Sequence, residues 1–150
     1  MSEPLVFMMG KFEARIPVDR SYFESHLWVQ PVGNLLRVGF TSYAVRLLQD
    51  VYFLDWQIDP DTVVRKKQAI GEIESSKAVS TIYAPADGRV VRFNESLLND
   101  PSLINADHHD RGWLYELESA APVLSPQQYI QVLEAGWEQT QRMLKSQYNE

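Results

Sequence analysis

The clearest alternation of apolar and polar positions lies within residues 68–91, on both sides of Lys77. Before Lys77 the chain mixes β-branched and acidic residues, and after it Val79 and Thr81 share one parity. A period of two residues is typical of β-strands. Because small polar residues favour turns, the pattern predicts two strands joined at residues 75–77, with Lys77 at the tip of the hairpin.

Further strands are predicted on either side of this hairpin. The turn over residues 84–88 contains proline and glycine and leads into a strand over residues 89–93. Residues 35–40 and 114–117 also have strand composition. Residues 50–56 are apolar at most positions, which predicts a strand that is buried on both faces. The chain is therefore expected to be mainly β.

Two segments depart from the strand pattern. Thr41 has the side chain of an N-cap, and Ala44, Leu47 and Leu48 supply the apolar face of a short helix after it. Residues 94–105 are polar at both ends and carry leucines between them. That distribution predicts a loop that tucks its leucines beneath itself.

A longer helix is predicted near the C-terminus. Ser125 is followed by proline and, three residues after the serine, by glutamine, which is the composition of a capping box. Tyr129, Leu133 and Trp137 then recur at a spacing of four residues. This stripe predicts an amphipathic helix to about residue 145, with the stripe packed on the core.

The expected domain organisation has three parts. Residues 1–21 carry apolar residues among scattered charges and predict either an edge strand or a loosely held arm. Residues 22–122 form the expected β domain, and residues 123–150 form the helix packed on that domain.

The apolar run at residues 5–9 is too short for a signal-peptide core or a membrane span. We therefore expect a cytoplasmic protein.

Composition narrows the class of function. The chain has 150 residues, of which 45% are hydrophobic, so one domain with a substantial core is expected. A net charge of -6 disfavours nucleic acid and anionic membranes as partners. The absence of cysteine excludes disulfides, cysteine nucleophiles and thiolate metal sites. Any redox chemistry must therefore come from a bound group.

The residues around Lys77 go beyond composition, because their order resembles the lipoyl-attachment hairpin of glycine cleavage system H proteins. Lys77 is flanked by Ser76 and Ala78 instead of the methionines found in biotin carriers, which favours lipoate. Two further blocks near residues 22–44 and 94–113 extend the resemblance. The residues that match the family are Glu74, Ser75, Lys77, Ala78, Ser80, Pro85 and Gly88 in the hairpin, and Tyr22, His26, Trp28, Val29, Val38, Gly39, Thr41, Tyr43, Ala44, Asn94, Leu97, Pro101, Leu103, Ile104, Asn105, Gly112 and Trp113 elsewhere.

The resemblance implies a mainly β fold, a barrel-sandwich hybrid of the lipoyl- and biotinyl-carrier type with a short internal helix and a C-terminal helix. It also implies a carrier that is not an enzyme, with lipoate attached covalently to Lys77. Glu74, Ser75 and Ala78 would be recognised by a lipoate ligase or a lipoyl or octanoyl transferase. Neither catalytic residues nor a bound metal are expected.

The partners implied by the resemblance are those of glycine catabolism. On a swinging arm, the carrier would take an aminomethyl group from a pyridoxal-phosphate glycine decarboxylase to a folate-dependent aminomethyltransferase. It would then pass reducing equivalents to dihydrolipoyl dehydrogenase. Because several enzymes must reach the same lysine, a monomer is expected.

Two positions depart from the family and leave other functions open. Leu27 and Thr81 stand where the family has carboxylates that meet the charged amine of the loaded arm. An ammonium placed against leucine loses water and gains no opposite charge. One alternative is therefore a lipoate carrier of another pathway, such as sulfur oxidation or lipoate transfer, and another is an unmodified interaction module. Glu24 or Glu72 is a candidate substitute for the missing charge.

Two glycines of the family are also replaced, by Gln49 after the short helix and by Lys67 before the hairpin. Both replacements are expected to cost backbone strain. The basic run at residues 65–67 is interpreted as a solvated turn, with a docking patch as the less favoured alternative.

Histidines suggest two further sites, both of which we disfavour. Residues 107–110 carry two histidines between two aspartates, but adjacent ligands rarely converge on one ion, so a solvated loop is expected. His26 and Trp28 are expected to share one face of a strand and to pack there.

Overall fold

The computed structural model describes residues 3–148, with side chains through residue 142. Within that range the chain forms eleven strands and four helices. The strands are β1 Leu5–Met9, β2 Phe12–Ile16, β3 Ser21–Phe23, β4 Leu27–Val32, β5 Leu35–Phe40, β6 Val51–Trp56, β7 Thr62–Val64, β8 Ala69–Ser75, β9 Val79–Tyr83, β10 Gly88–Phe93 and β11 Tyr115–Glu118. The helices are α1 Ser42–Leu48, α2 Glu95–Asn99, α3 Leu103–Ala106 and α4 Pro126–Tyr148.

The strands form three antiparallel sheets. The largest has the order β3-β4-β5-β11-β10-β7, the second β6-β8-β9, and β1 pairs only with β2. Apolar side chains of the two larger sheets share one core, so the fold is the barrel-sandwich hybrid that the family resemblance implies. Fully buried members of this core include Val38, Ile70, Val90, Leu97, Ile104, Leu114, Tyr115 and Leu117.

Several predicted elements are confirmed. The strand over residues 35–40 is β5, and the segments before and after Lys77 are β8 and β9. Thr41 caps α1, because its side chain accepts a hydrogen bond from the backbone N–H of Ala44. These elements have strong local signals, either a period of two residues or a capping side chain.

The prediction that residues 50–56 are buried on both faces is wrong. In β6 only Val51 and Leu54 are buried, whereas Tyr52 is 61% exposed and Phe53 is 45% exposed. β6 is an edge strand of the three-stranded sheet, and its register with β8 shifts between Val51 and Phe53. An edge strand with one solvent-facing side can carry aromatic residues without burying them.

The prediction of a loop over residues 94–105 is also wrong, because the segment contains α2 and α3. Asn94 caps α2 by accepting a hydrogen bond from the backbone N–H of Ser96. Leu97 and Ile104 are fully buried, as the prediction requires, but Leu98 is 56% exposed. Asparagine before a leucine-containing segment is an N-cap signal. The sequence interpretation instead took this asparagine as one of the polar residues that are common in loops.

The prediction of the C-terminal helix is confirmed in α4. Ser125 Oγ accepts from the Gln128 backbone N–H, and Gln128 Oε1 accepts from the Ser125 N–H, which completes a capping box. Tyr129 and Leu133 are buried, and Trp137 is half-buried. Within residues 3–148, no helix combines the length and apolarity needed to cross a lipid bilayer.

A second apolar core lies between the hairpin formed by β1 and β2 and the helices α1 and α4. Phe7 meets the edge of the Trp137 ring at 5.7 Å between ring centroids. Tyr22 stacks on Tyr129 at 4.7 Å with an angle of 2° between the ring planes. The hairpin of β1 and β2 therefore packs on the helices of this second core and does not pair with the larger sheets.

Both positions that replace glycine in the family have positive φ angles. Gln49 has a φ of 63° after α1, and Lys67 has a φ of 72° in the turn before β8. In this region the Cβ of an L-residue crowds the backbone, which only glycine avoids. The expectation of backbone strain is confirmed at both positions.

We expect Lys67→Gly to stabilise the protein by about 1 kcal/mol, because glycine relieves the left-handed strain. Lys66→Gly is the matched control, since Lys66 is equally exposed and has no positive φ. That control should destabilise the protein by about 0.5–1 kcal/mol through lost backbone entropy. Urea unfolding of the two variants measures both changes. Equal destabilisation of both would contradict the strain at Lys67.

Candidate functional site

The structure places Lys77 in the turn between β8 and β9, as predicted. Lys77 and its neighbours Ser76 and Ala78 are all exposed. The strands on either side pair in continuous antiparallel register next to the turn, with Glu74 opposite Val79. A long cationic side chain therefore extends from a short turn on a paired base, between two small chain neighbours.

Ser75 fixes the shape of this turn from beneath. Its side chain is buried, at 4% exposed. The hydroxyl accepts from the backbone N–H of Lys77 and of Ala78, both at 3.4 Å, and donates to the carbonyl oxygen of Ala78 at 3.3 Å. The Ser75 backbone N–H also donates to the Ala78 oxygen at 2.9 Å. One buried side chain thus satisfies the polar backbone groups that a tight turn leaves open.

A second set of hydrogen bonds ties the turn to the start of β6. Ser76 N–H donates to the Asp50 carbonyl oxygen at 2.8 Å, and Asp50 N–H donates to Ser76 Oγ at 3.3 Å. Asn105 in α3 holds the residues on both sides of Asp50. Its Oδ1 accepts from Val51 N–H at 2.8 Å, and its Nδ2 donates to the Gln49 carbonyl oxygen at 2.5 Å. We call residues 49–51 and Asn105 the Asn105 clamp.

The sequence interpretation did not identify this clamp. Asn105 entered it only as a match to the family, because a contact between residues 56 positions apart leaves no periodic signal in the sequence. The hydrogen bonds of Ser76 to Asp50 were also missed, since Ser76 was interpreted as a small turn residue and as a flanking residue that favours lipoate. No composition rule distinguishes these two residues from other polar residues in loops.

The turn after β9 also holds the hairpin in place. Pro85 is buried within it, and Gly88 begins β10. A Cβ added at Gly88 would collide with the carbonyl oxygen of Glu118 in the neighbouring strand. Because only glycine permits this close approach, Gly88 sets the path by which the chain leaves the hairpin.

Leu27 and Thr81 lie in different environments. Leu27 is 3% exposed and belongs to the core shared by the two larger sheets. Both the side chain at position 27 and its surroundings are therefore apolar. Thr81 is exposed and lies opposite Glu72 in the register of β8 and β9. Glu24 is exposed and lies 3.8 Å from Lys66 Nζ. The carboxylate beside Thr81 is therefore Glu72, whereas Glu24 is paired with a lysine.

The basic run at residues 65–67 lies in the turn between β7 and β8, as the solvated-turn interpretation expects. A cleft of about 1130 Å³ borders this turn and is lined in part by Phe23, Tyr83 and Leu124. Tyr83 ends β9 at the side opposite to the Lys77 turn. The cleft is therefore separated from Lys77 by the length of β9.

The prediction that His26 lies on a strand is wrong. His26 has a φ of 69° and lies in the turn between β3 and β4. Its Nδ1 lies 3.0 Å from the hydroxyl of Tyr129, which lies 2.9 Å from Thr41 Oγ1. Burial lowers the pKa of His26 to about 4. His26 thus helps to seat α4 as a neutral side chain, which agrees with the expected packing role.

His108 and His109 are held by bonds to other parts of the fold. Trp28 Nε1 donates to the His108 carbonyl oxygen at 2.9 Å, and Arg20 donates to the His109 carbonyl oxygen at 2.7 Å. Burial lowers the pKa of both imidazoles, that of His109 to about 3. Among the described residues, no three His, Cys, Asp or Glu side chains are placed to hold one metal ion.

Two packed sheets and a braced hairpin that presents one exposed lysine define a carrier domain of the barrel-sandwich type. Comparison with known proteins then identifies the family. The model of the glycine cleavage H-protein family matches residues 20–145. The chain therefore belongs to the glycine cleavage H-protein family.

Individual relatives agree with this assignment. A glycine cleavage system H protein of Thermobifida fusca is 37% identical over 122 residues, which cover 79% of this chain and 96% of the relative. One from Mycolicibacterium gilvum is 43% identical over 107 residues, which cover 71% of this chain and 81% of that relative. The crystal structure of a glycine cleavage system H protein from Mycobacterium marinum superposes with a TM-score of 0.66 at 34% identity, and covers 76% of this chain and 95% of that chain. The hairpin at residues 5–16 precedes the residues that the family model matches.

We expect Asn105→Ala to loosen the turn that carries Lys77, because it removes both hydrogen bonds of the Asn105 clamp. The loss should destabilise the protein by about 1–2 kcal/mol. It should also speed amide hydrogen exchange at Val51 and Ser76. The matched control is Asn99→Ala, at an exposed position in α2, which should leave exchange at both amides unchanged. Equal exchange in the two variants would show that the clamp does not brace the turn.

Proposed function

We propose that this protein is a lipoyl carrier of the glycine cleavage reactions, with lipoate attached by an amide bond to Lys77 Nζ. The observation that supports the proposal most directly is the placement of Lys77. An exposed lysine on a turn braced by a buried serine and by the Asn105 clamp offers an amine at a fixed position. A modifying enzyme can bind such an amine without first ordering a flexible loop.

The residues around Lys77 fit the proposed group. Its two chain neighbours, Ser76 and Ala78, are small and exposed, so they leave room for an acyl chain to extend from Nζ. When bound, lipoate would supply a redox-active disulfide at the end of a long arm, which this cysteine-free chain otherwise lacks. The task of the protein is then positional, because it must be rigid beneath the lysine and exposed at it.

The recognition residues would act in different ways. Glu74 lies on the outer face of β8 and is half-buried, so its carboxylate remains within reach of a modifying enzyme. Ala78 is exposed beside Lys77. Ser75 is buried, and we propose that it contributes through the shape of the turn. Recognition would therefore combine one surface charge with the conformation that Ser75 imposes.

The proposed cargo and partners follow from the family. Its curated relatives are glycine cleavage system H proteins. We propose that this chain takes an aminomethyl group from glycine decarboxylase to aminomethyltransferase and then passes reducing equivalents to dihydrolipoyl dehydrogenase. Tethering the group to a carrier that binds each enzyme in turn raises its effective concentration there. A lipoate ligase, or a lipoyl or octanoyl transferase, would load Lys77.

We expect the protein purified from its native cell to carry one lipoyl or octanoyl group on Lys77. Intact-mass measurement and peptide mapping detect the group and locate it. Lys77→Arg should abolish the modification, because a guanidinium does not form this amide. Lys66→Arg is the matched control at another exposed lysine and should be modified normally. An unmodified Lys77, in a cell that lipoylates its other carriers, would contradict the proposal and favour the unmodified interaction module.

A second candidate is a lipoate carrier of another pathway, such as sulfur oxidation or lipoate transfer. It is favoured by Leu27, which is buried in the core, and by Thr81 on the exposed face. An ammonium group on the arm would find no carboxylate at either position. Glu72, opposite Thr81, is the nearest carboxylate in register and is therefore the residue on which an aminomethyl cargo would depend.

We expect the lipoylated protein to support glycine decarboxylation when it is mixed with glycine decarboxylase, aminomethyltransferase and dihydrolipoyl dehydrogenase. Release of labelled carbon dioxide from glycine is the measurement. Glu72→Gln should shorten the lifetime of the loaded carrier, because it removes the carboxylate nearest Thr81. Glu134→Gln, at an exposed position of α4, is the control. Full lipoylation without decarboxylation would reject the glycine-cleavage cargo and support the second candidate.

A further inference from the structure

The outer face of the sheet formed by β6, β8 and β9 is a surface next to Lys77 that the fold leaves uncovered. Its side chains form two rows across the three strands, set by the register of the pairs. The row nearer the turn is Phe53, Glu74 and Val79, and the next row is Asp55, Glu72 and Thr81. We call these six residues the acidic sheet face.

This face carries three carboxylates, those of Asp55, Glu72 and Glu74. Asp55 lies directly opposite Glu72, and like charges in that arrangement oppose strand pairing. Glu74 lies on the same side of β8 as Glu72, two residues further along. In the described part of the chain, the ion pairs of Lys66 and of the arginines go to other carboxylates than these three.

The same face exposes apolar side chains. Phe53 is 45% exposed and Val79 is 60% exposed, one on each side of Glu74. Tyr52 is 61% exposed at the register shift of β6. Apolar residues that are close together, exposed and bordered by charge are typical of a surface that another protein covers.

The position of the face decides what covers it. Val79 follows Lys77 by two residues, and strands rise about 3.3 Å per residue, so the row nearer the turn begins within several Å of the lysine. An enzyme that draws Lys77 into its active site brings its own surface close to this row. A second copy of this chain, with a net charge of -6, would be repelled, as would nucleic acid.

We propose that the acidic sheet face is the docking surface for the enzyme that acts on Lys77, and that this enzyme presents lysine and arginine side chains around an apolar patch. The inference rests on the proposed function, because it takes Lys77 as the acceptor. The partner's cations pair with Asp55, Glu72 and Glu74, and its apolar patch covers Phe53 and Val79. Charge complementarity of this kind acts chiefly on the rate of encounter and on its dependence on salt.

The test uses the full-length protein, the lipoate ligase of the same cell, ATP and lipoate, with the mass of the product as readout. The variant Asp55→Asn with Glu72→Gln removes two charges and keeps the shape of both side chains. Its control is Glu13→Gln with Glu134→Gln, which removes two charges at exposed positions outside the face. At low ionic strength the face variant should lose about tenfold in kcat/KM through KM, with kcat unchanged. Added salt should slow the wild type and the control more than the face variant.

The apolar part of the face is tested separately. Val79→Thr should lower kcat/KM about fourfold, the change expected for one methyl group buried in a complex. Val63→Thr makes the same change at a side chain that is 73% exposed in β7, and it should leave the rate unchanged. Near-ultraviolet circular dichroism of each variant confirms that its fold is retained.

The outcomes separate the two proposals. If Lys77 of the wild type is lipoylated, but the face variants match their controls in kcat/KM and in salt dependence, the docking proposal is wrong and the carrier proposal stands. If the ligase lipoylates an established H protein but leaves Lys77 of the wild type unmodified, both proposals are overturned.

Discussion

The exposure of Lys77 depends on the burial of one hydroxyl group, that of Ser75. A tight turn that exposes a long side chain has backbone N–H and C=O groups without partners in a sheet. If water supplied those hydrogen bonds, the turn would be less rigid. The Ser75 hydroxyl satisfies three of them from the protein side, and the strands continue in register immediately outside the turn. The lysine is therefore exposed while the backbone of its turn is held by hydrogen bonds.

The Asn105 clamp extends this rigidity through the fold. Asp50 bonds to Ser76 in the turn, and Asn105 holds the residues on both sides of Asp50. Because α3 also buries Ile104 in the shared core, the clamp connects the turn to the best-packed part of the molecule. The strained Gln49 lies at this junction, so the chain accepts a left-handed conformation where the carbonyl of residue 49 must face Asn105.

The sequence correctly predicted those parts of the fold that are determined by residues close together in the chain. The hairpin around Lys77, the Thr41 cap and the capping box at Ser125 each depend on residues within a few positions of one another. The missed helix α2 also has a local cause, the Asn94 cap, which was interpreted as the polarity of a loop. The other failures have non-local causes. β6 is exposed on one face because no other element of the described chain covers the outer face of its sheet, and no property of its own residues shows this. The Asn105 clamp and the packing of the first hairpin against α4 join segments that are distant in sequence. Within the candidate site, the position of Lys77 at the hairpin tip was therefore predictable, and the bracing of its turn by Asn105 was not.

The second core has a consequence for the order in which the protein folds during synthesis. Phe7, Met9, Ala14 and Ile16 leave the ribosome before the two larger sheets, yet their partners Tyr129 and Trp137 belong to α4, which leaves it after those sheets. The two larger sheets, by contrast, are complete once β11 has emerged. While the two larger sheets assemble, the apolar side chains of the β1–β2 hairpin are therefore not yet covered by α4. In that interval the hairpin is the segment that a chaperone would bind.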